Sequence, residues 1–164
     1  MKSAIPFIII IAMGLLIGSC DRKSCENVVC PGIYSTCIDG NCYCESGYEG
    51  SNCDVETRDK YIGSYQVTEN CTTSSGGFLN NRFTAYISSS YVDVLTIDNF
   101  TFYGGTVYAN IIDATTLYIQ DQRAGSIDIS GGQGTYEGFN RITFEHRYTV
   151  SGNFHSCTAI YTKF

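Results

Sequence analysis

The feature that most constrains this chain is the spacing of its cysteines. Seven of the nine cysteines lie between positions 20 and 53, and six of them fall in the 29 residues from 25 to 53. A segment of this length cannot bury enough apolar surface to fold by packing alone, so disulfide bonds have to replace a core. Cysteines at this density also indicate an oxidising compartment. The spacing alone leaves the pairing of the six cysteines open.

The six-cysteine segment, "CENVVCPGIYSTCIDGNCYCESGYEGSNC", resembles an EGF-like module. Its last part reads C-x-C-x-x-G-Y-x-G-x-x-C, in which Gly47 and Gly50 suit tight turns with positive φ. We expect the module to occupy residues 25–53, followed by a short charged linker at 54–59. The resemblance implies three disulfide bonds, Cys25–Cys37, Cys30–Cys42 and Cys44–Cys53.

Clustered cysteines raise the question of two kinds of metal site, zinc and calcium. Zinc is disfavoured because the cysteines lack a paired C-x-x-C knuckle and no histidine lies near them. Calcium-binding EGF modules carry oxygen ligands just before their first cysteine. Here Asp21 is followed by Arg22 and Lys23, which bring positive charge where a cation would sit. We therefore expect no metal and no cofactor.

The N-terminal segment has the pattern of an export signal. Lys2 precedes an apolar run from Ala4 to Gly18, which is shorter than the about 20 residues that a transmembrane helix needs. The sequence Ile17-Gly18-Ser19-Cys20 resembles the lipobox of bacterial lipoproteins. That resemblance implies a signal peptide at 1–19, cleavage before Cys20, lipidation of Cys20 and an anchored N-terminus at 20–24. The alternative is an ordinary signal peptide, with Cys20 as a further disulfide partner.

Residues 60–164 form a second domain with the rhythm of short antiparallel strands. The stretch "RITFEHRYTV" places Ile142, Phe144, His146, Tyr148 and Val150 on one face and polar residues on the other. Turn signals punctuate the domain, and we interpret "GGQG" at 131–134 as one of these turns. The pattern predicts a mainly β fold of about eight strands, either an antiparallel up-and-down barrel or a sandwich.

Two cysteines remain in the second domain, Cys71 at the end of its first strand and Cys157 early in its last. In a closed up-and-down sheet with an even number of strands, the first and last strands are antiparallel neighbours. We predict a Cys71–Cys157 disulfide between these strands, and direct opposition of the two cysteines would place Val67 opposite Tyr161. Cys20 is then the one unpaired cysteine, which supports its lipidation.

The two ends of the second domain, "YIGSYQVTENC" and "NRITFEHRYTVSGNFHSCTAIYTK", also carry a resemblance. They resemble bacterial surface lipoproteins that join a lipobox, an EGF-like module and a small lipocalin-like β domain. The resemblance implies a chain anchored by Cys20 in the outer membrane or at the cell surface of a Gram-negative bacterium.

The sequence offers little support for an enzyme. A G-x-S-x-G elbow is absent, all cysteines are assigned, and the carboxylates Glu137 and Glu145 cannot be placed relative to each other from sequence. His146 is expected to be a core histidine. An enzyme would instead need a polar cleft with a titratable group near His146 or His155. We therefore predict a protein without catalytic residues.

The expected activity is binding. The net charge of -6, with no basic cluster, argues against nucleic acid as a partner. The first hypothesis is a binding or adhesion module that uses the outer face or loops of the β domain, where Tyr118 is a candidate exposed aromatic. The alternative is a carrier of a small apolar ligand inside an eight-stranded barrel. The partner is thus an unknown protein, glycan or small apolar ligand, besides the membrane. The N-glycosylation patterns at Asn70 and Asn99 are discounted in a bacterium.

Overall fold

The computed structural model describes residues 25–164, so the predicted signal peptide and Cys20 lie outside the described residues. The N-terminal part holds a 3₁₀ turn (Cys25–Asn27), strands β1 (Ser35–Ile38), β2 (Asn41–Cys44), β3 (Tyr48–Glu49) and β4 (Val55–Glu56), and a second 3₁₀ turn (Thr57–Lys60). In residues 25–164 we find no helix that is long and apolar enough to cross a membrane.

The N-terminal part is held together by disulfide bonds rather than by a core. Its bonds join Cys25 to Cys37, Cys30 to Cys42 and Cys44 to Cys53, which is the pairing that the EGF-like resemblance implies. β1 and β2 form a hairpin whose turn is at Asp39 and Gly40, and the rings of Tyr34 and Tyr48 stack 3.8 Å apart. We call residues 25–56 the disulfide segment.

The predicted linker 54–59 is itself structured. Val55 and Glu56 form β4, which pairs with β3 inside the disulfide segment. The next residues form the 3₁₀ turn, where Arg58 makes an ion pair with Glu56 and Lys60 makes one with Glu49. The chain therefore passes from the disulfide segment to the second domain through hydrogen-bonded backbone.

The remaining strands form one sheet. They are β5 (Gly63–Thr73), β6 (Phe78–Tyr91), β7 (Val94–Asp98), β8 (Val107–Ile111), β9 (Thr116–Ile119), β10 (Gln122–Ala124), β11 (Ile127–Gly138), β12 (Arg141–Val150) and β13 (Asn153–Lys163). Each long strand pairs antiparallel with the next, β9 pairs with β11, and β13 pairs with β5. This closes eight strands of the described chain into an up-and-down barrel, with β10 as a short addition to β11. The predicted fold class is confirmed, as a barrel rather than a sandwich.

The closure of the barrel has the predicted register. Cys71 on β5 lies opposite Cys157 on β13 and is disulfide-bonded to it, and Val67 lies opposite Tyr161. The face of β12 that carries Phe144 and His146 points inward, as its alternation indicates.

One predicted turn is wrong. The "GGQG" residues lie inside β11, where the register shifts between Ile129 and Gly132 and Gly131 has a φ of 79°. The glycines are needed because of close packing rather than chain reversal. A Cβ added at Gly132 would lie 2.8 Å from His146 Cβ, and one added at Gly134 would lie 2.5 Å from Phe144 Cε1. They form a bulge and leave room for inward side chains of β12.

The disulfide segment contacts one end of the barrel, which we call the proximal end. Ser46 Oγ donates a hydrogen bond to the carbonyl of Ile111, at 3.2 Å. The backbone of Gly47 approaches Val92 so closely that a Cβ there would lie 2.7 Å from the Val92 carbonyl oxygen. The turns at 74–77, 99–106, 125–126 and 151–152 lie at the opposite, distal end.

Candidate functional site

The barrel interior is filled with side chains, most of them large. Tyr61, Tyr65, Tyr148 and Tyr161 are fully buried, and the ring centroids of Phe144 and Tyr161 lie 4.9 Å apart. The tyrosine hydroxyls have internal partners: Tyr65 donates to the carbonyl of Tyr61, at 2.6 Å. An eight-stranded barrel is just wide enough for its side chains to fill or for one small ligand, and here side chains fill it.

A loop closes the distal end of the barrel. Residues 99–106, which we call the plug loop, turn back on themselves through hydrogen bonds between Thr101 and Gly104. Phe100 is 0% exposed, and its ring centroid lies 4.7 Å from that of His146. The carbonyl of Phe100 accepts a hydrogen bond of 2.6 Å from the Tyr161 hydroxyl. Tyr103 packs edge-on over His155, which covers the layer beneath the loop.

A polar cluster lies beneath the plug loop. The Glu69 carboxylate is 3.2 Å from His146 Nε2, and both side chains are fully buried. Tyr148 stacks between two imidazoles, with centroids 5.8 Å from His146 and 4.7 Å from His155. Burial, with the nearby Glu69 carboxylate, raises the pKa of Tyr148 well above its usual value. Nδ1 of each histidine is buried without a hydrogen-bond partner in the described residues.

The cluster differs from sequence expectation in one residue. His146 is a buried histidine, as expected. Its partner, Glu69, is not among the residues that the sequence predicts to be important. The alternation Tyr65, Val67, Glu69, Cys71 is the signal that places Glu69 on the inner face of β5.

The same cluster is a poor metal site. Ligand atoms of Glu69, His146 and Cys157 lie within 4.8 Å of one another. The Cys157 sulfur, however, is bonded to Cys71 and has no thiolate to offer. Two ligands remain, which is fewer than a zinc site uses.

The two carboxylates considered from sequence both point outward. The Glu137 carboxylate already has partners: it makes an ion pair with Arg141 at 2.8 Å and accepts a hydrogen bond from Thr143 at 2.6 Å. The side chain of Glu145 has no hydrogen bond or ion pair within residues 25–164 and lies in a groove on the barrel exterior.

This outer groove has a volume of about 670 Å³ and crosses β5, β13, β12 and β11 in the distal half of the barrel. Two exposed aromatic residues, Phe78 and Tyr118, contribute to it from β6 and β9. Gly131 and Gly132 contribute backbone without side chains, at the bulge in β11. The other outward-facing residues of the groove are polar: Asn70, Thr72, Asp121, Ser130, Gln133, Glu145, Arg147, Ser156 and Thr158.

The register aligns part of the groove into one row across the sheet. The pairs Asn70–Thr158, Thr158–Glu145, Glu145–Gln133 and Gln133–Tyr118 place five outward side chains side by side on five strands. We call this row the polar row. Asn70, Glu145 and Tyr118 each stand out in the sequence for unrelated reasons. Their alignment in one row is not visible there, because side chains on different strands become neighbours only when the pairing is known.

Three long polar side chains of the groove are free to bond a ligand. Within the described chain, the side chains of Gln133, Glu145 and Arg147 have no hydrogen-bond or ion-pair partner. On the opposite wall, Asp98 accepts a bond from Thr106 at 2.7 Å. The side chain of Gln122 bridges the backbone N–H and carbonyl of Tyr108 at 2.8 and 2.9 Å. The groove thus offers unpaired donors and acceptors beside one another, while Asp98 and Gln122 on the opposite wall are already paired.

Comparisons with known proteins add no argument about the family or the function of this chain. The sequence matches no family model and no curated protein. One similar solved structure is a redesigned β-barrel, 14% identical over 66% of this chain and 95% of that chain, with a TM-score of 0.49. Another is EF1p2_mFAP2b bound to DFHBI, 16% identical over 66% of this chain and 97% of that one, with a TM-score of 0.47. With both TM-scores below 0.5, neither likeness carries an argument about this chain.

Proposed function

We propose that this chain is a non-enzymatic binding module displayed outside the cell of a Gram-negative bacterium, and that its outer groove holds the ligand. The observation that carries the proposal is the contrast between the two faces of the barrel wall. The interior is filled and closed by Phe100, whereas the exterior carries a groove with unpartnered polar side chains and two exposed aromatics.

The attachment to a membrane through lipidated Cys20 is part of the same proposal. The eight cysteines in residues 25–164 are all paired in disulfides, which leaves Cys20 over. Two acyl chains are the threshold for stable anchoring, at about 0.8 kcal/mol per buried methylene. The disulfide segment follows directly in the chain and contacts the proximal end of the barrel, while the groove lies in the distal half. An anchor at Cys20 would therefore hold the groove away from the membrane.

A photo-crosslinking amino acid tests the groove directly. We would place p-benzoylphenylalanine at Tyr118, in the groove, and at Tyr108, an exposed tyrosine on β8 outside it. The variants would be expressed in the producing cells and irradiated under native conditions. A crosslinked species obtained at Tyr118 but not at Tyr108 supports the proposal. Equal crosslinking at both positions, or none at Tyr118, would contradict it.

The anchor needs a separate measurement. Metabolic labelling with an alkyne fatty acid should label the protein, and Cys20→Ala should abolish the label. Because Cys20 is unpaired in this proposal, its replacement should leave the four disulfides of residues 25–164 intact. Loss of one of those disulfides in the Cys20→Ala variant would instead mean that Cys20 takes part in pairing.

One observation favours a second candidate function, a carrier of a small apolar ligand. The plug loop covers two histidine Nδ1 atoms that lack partners, and outward movement of Phe100 would open the space beneath it. Native mass spectrometry of the exported protein distinguishes the two functions. An adduct of a few hundred daltons that organic solvent removes would favour the carrier, and the bare mass would favour the outer groove.

A further inference from the structure

We infer that the ligand of the outer groove is an uncharged glycan and that the ring of Tyr118 is its stacking platform. The inference rests on the proposed binding function and adds the chemical class of the ligand. Three properties of the groove support it: the type of its polar groups, the position of its aromatic ring and its charge.

The polar groups of the groove suit a ligand with many hydroxyls. Each sugar hydroxyl both donates and accepts hydrogen bonds. An amide such as that of Gln133 offers both functions on one plane, while a carboxylate such as Glu145 offers two acceptors. These two side chains are opposite each other across β11 and β12, and Thr158 follows on β13. The polar row therefore presents donors and acceptors at the spacing of neighbouring strands, about 4.8 Å.

The aromatic ring lies at the end of this row. Tyr118 pairs directly with Gln133 and is 46% exposed. Sugar rings carry an apolar face of C–H groups that packs against an aromatic ring, while their hydroxyls point outward from the rim. Side chains that are directly opposite across two strands have Cβ atoms about 4.5–5.5 Å apart. One sugar ring on Tyr118 would thus have its edge within reach of the Gln133 amide.

The charge of the groove selects among glycans and against other ligands. Its charged side chains are Asp121, Glu145 and Arg147, two negative and one positive, which gives a net charge of -1. A sulfated or sialylated glycan, or nucleic acid, would meet two carboxylates and one guanidinium, so this charge balance disfavours such ligands relative to a neutral glycan. An apolar ligand would leave Gln133 and Glu145 desolvated without partners, which costs free energy. The volume of about 670 Å³ falls in the range of about 300–1,000 Å³ for small-ligand sites.

Binding to defined glycans tests the inference. The full protein, purified in detergent from the producing cells, would be screened against immobilised neutral glucans, mannans, galactans and xylans, with sulfated and sialylated glycans alongside. A neutral glycan that binds would then be titrated by calorimetry. We expect Tyr118→Ala to weaken binding at least ten-fold, Tyr118→Phe to stay within about three-fold, and Gln133→Ala to weaken it about five-fold. Tyr108→Ala is the matched control and should bind like the natural protein, since Tyr108 is exposed outside the groove.

The result that overturns the inference can be separated from a failure of the proposed function. If Tyr118 crosslinks a protein in cells while no neutral glycan binds, the groove is a binding site for another ligand class and the glycan inference is wrong. Preferential binding of sulfated or sialylated glycans overturns it as well, as does neutral-glycan binding that survives both Tyr118→Ala and Gln133→Ala. Absence of crosslinking at Tyr118 would remove the proposed function itself.

Discussion

The Glu69 carboxylate lies 3.2 Å from His146 Nε2 inside the closed barrel, and both side chains are 0% exposed. The two side chains are hydrogen-bond partners, and Glu69 also accepts a bond of 3.3 Å from Asn81 Nδ2. Replacing Glu69 leaves the buried imidazole unpaired, and replacing His146 removes one of the hydrogen-bond partners of the buried carboxylate. We expect Glu69→Leu and His146→Leu each to lower the free energy of unfolding by about 2–4 kcal/mol. The double variant should cost clearly less than the sum of the two. Guanidinium unfolding with intact disulfides measures this coupling, and additive effects would show that the pair contributes nothing.

The Cys71–Cys157 bond joins the first and last strands of the barrel across 86 residues of sequence. The chain-entropy model gives about 4–5 kcal/mol for closing a loop of this size in the unfolded state. We expect the Cys71→Ala/Cys157→Ala variant to lose stability of this order in denaturant unfolding. A matched variant, Cys25→Ala/Cys37→Ala, removes a bond with a separation of 12 residues in the disulfide segment. It should leave the unfolding of the barrel nearly unchanged, and equal destabilisation of the barrel by both variants would contradict this assignment.

Burial raises the pKa of Tyr61, Tyr65, Tyr148 and Tyr161 above the ordinary value of about 10. Above pH 10 the unfolded chain loses these tyrosine protons while the folded chain keeps them, so the free energy of unfolding falls as pH rises. Below pH 10 the four hydroxyls have no effect on pH dependence. Absorbance at 295 nm should show the exposed tyrosines ionising first and these four only as the barrel unfolds. Tyr148→Phe should reduce the slope of stability against pH above 10, and ionisation of all tyrosines in one step before unfolding would contradict the expectation.

The alternation of residues in the second domain predicts antiparallel strands and their two faces, and it leaves a barrel and a sandwich open. Period two along β12 identifies its inner face. For a closed sheet with Cys71 and Cys157 directly opposed, the two cysteines also give the closing strands and their register, and the structure has this register. These features were predictable for two reasons. Alternation of apolar and polar residues distinguishes the two faces of a strand. The second domain contains only two cysteines, so each has one candidate partner there.

Three other features could not be predicted from local sequence patterns. The glycines of "GGQG" were interpreted as a turn because glycine is common in turns. In the structure a side chain at Gly132 or Gly134 would collide with His146 or Phe144 on the next strand. Phe100 lies between two turn signals, Asp98-Asn99 and Gly104-Gly105. Its insertion into the barrel depends on the shape of the whole interior. The outer groove was missed for the same kind of reason, since its polar row combines residues from five strands.

Gly134 has backbone angles that any residue can adopt, but it lies against Phe144. A Cβ there would be 2.5 Å from Phe144 Cε1 and 2.8 Å from Cδ1, closer than real contacts. We expect Gly134→Ala to lower stability by about 1–3 kcal/mol through overpacking. Adding Phe144→Leu should recover part of this loss, because the smaller side chain makes room. Thr135→Ala, the exposed neighbour, is the control and should change stability by no more than about 0.5 kcal/mol. Equal effects of Gly134→Ala and Thr135→Ala in denaturant unfolding would contradict the packing explanation.

Phe100 is the side chain that closes the distal end of the barrel, with its ring against His146 and Phe144. Phe100→Ala removes this ring and should cost about 3–5 kcal/mol, from lost burial and the cavity it leaves. The cavity would be lined by Phe144, Tyr161 and His146, so a small aromatic such as benzene should bind there and recover part of the stability. The measurement is thermal unfolding of Phe100→Ala with and without benzene, compared with the natural protein and with Phe102→Ala, whose side chain is exposed. If benzene stabilises the natural protein as much as the variant, the interior is already open to ligands. The carrier function would then be favoured over the outer groove.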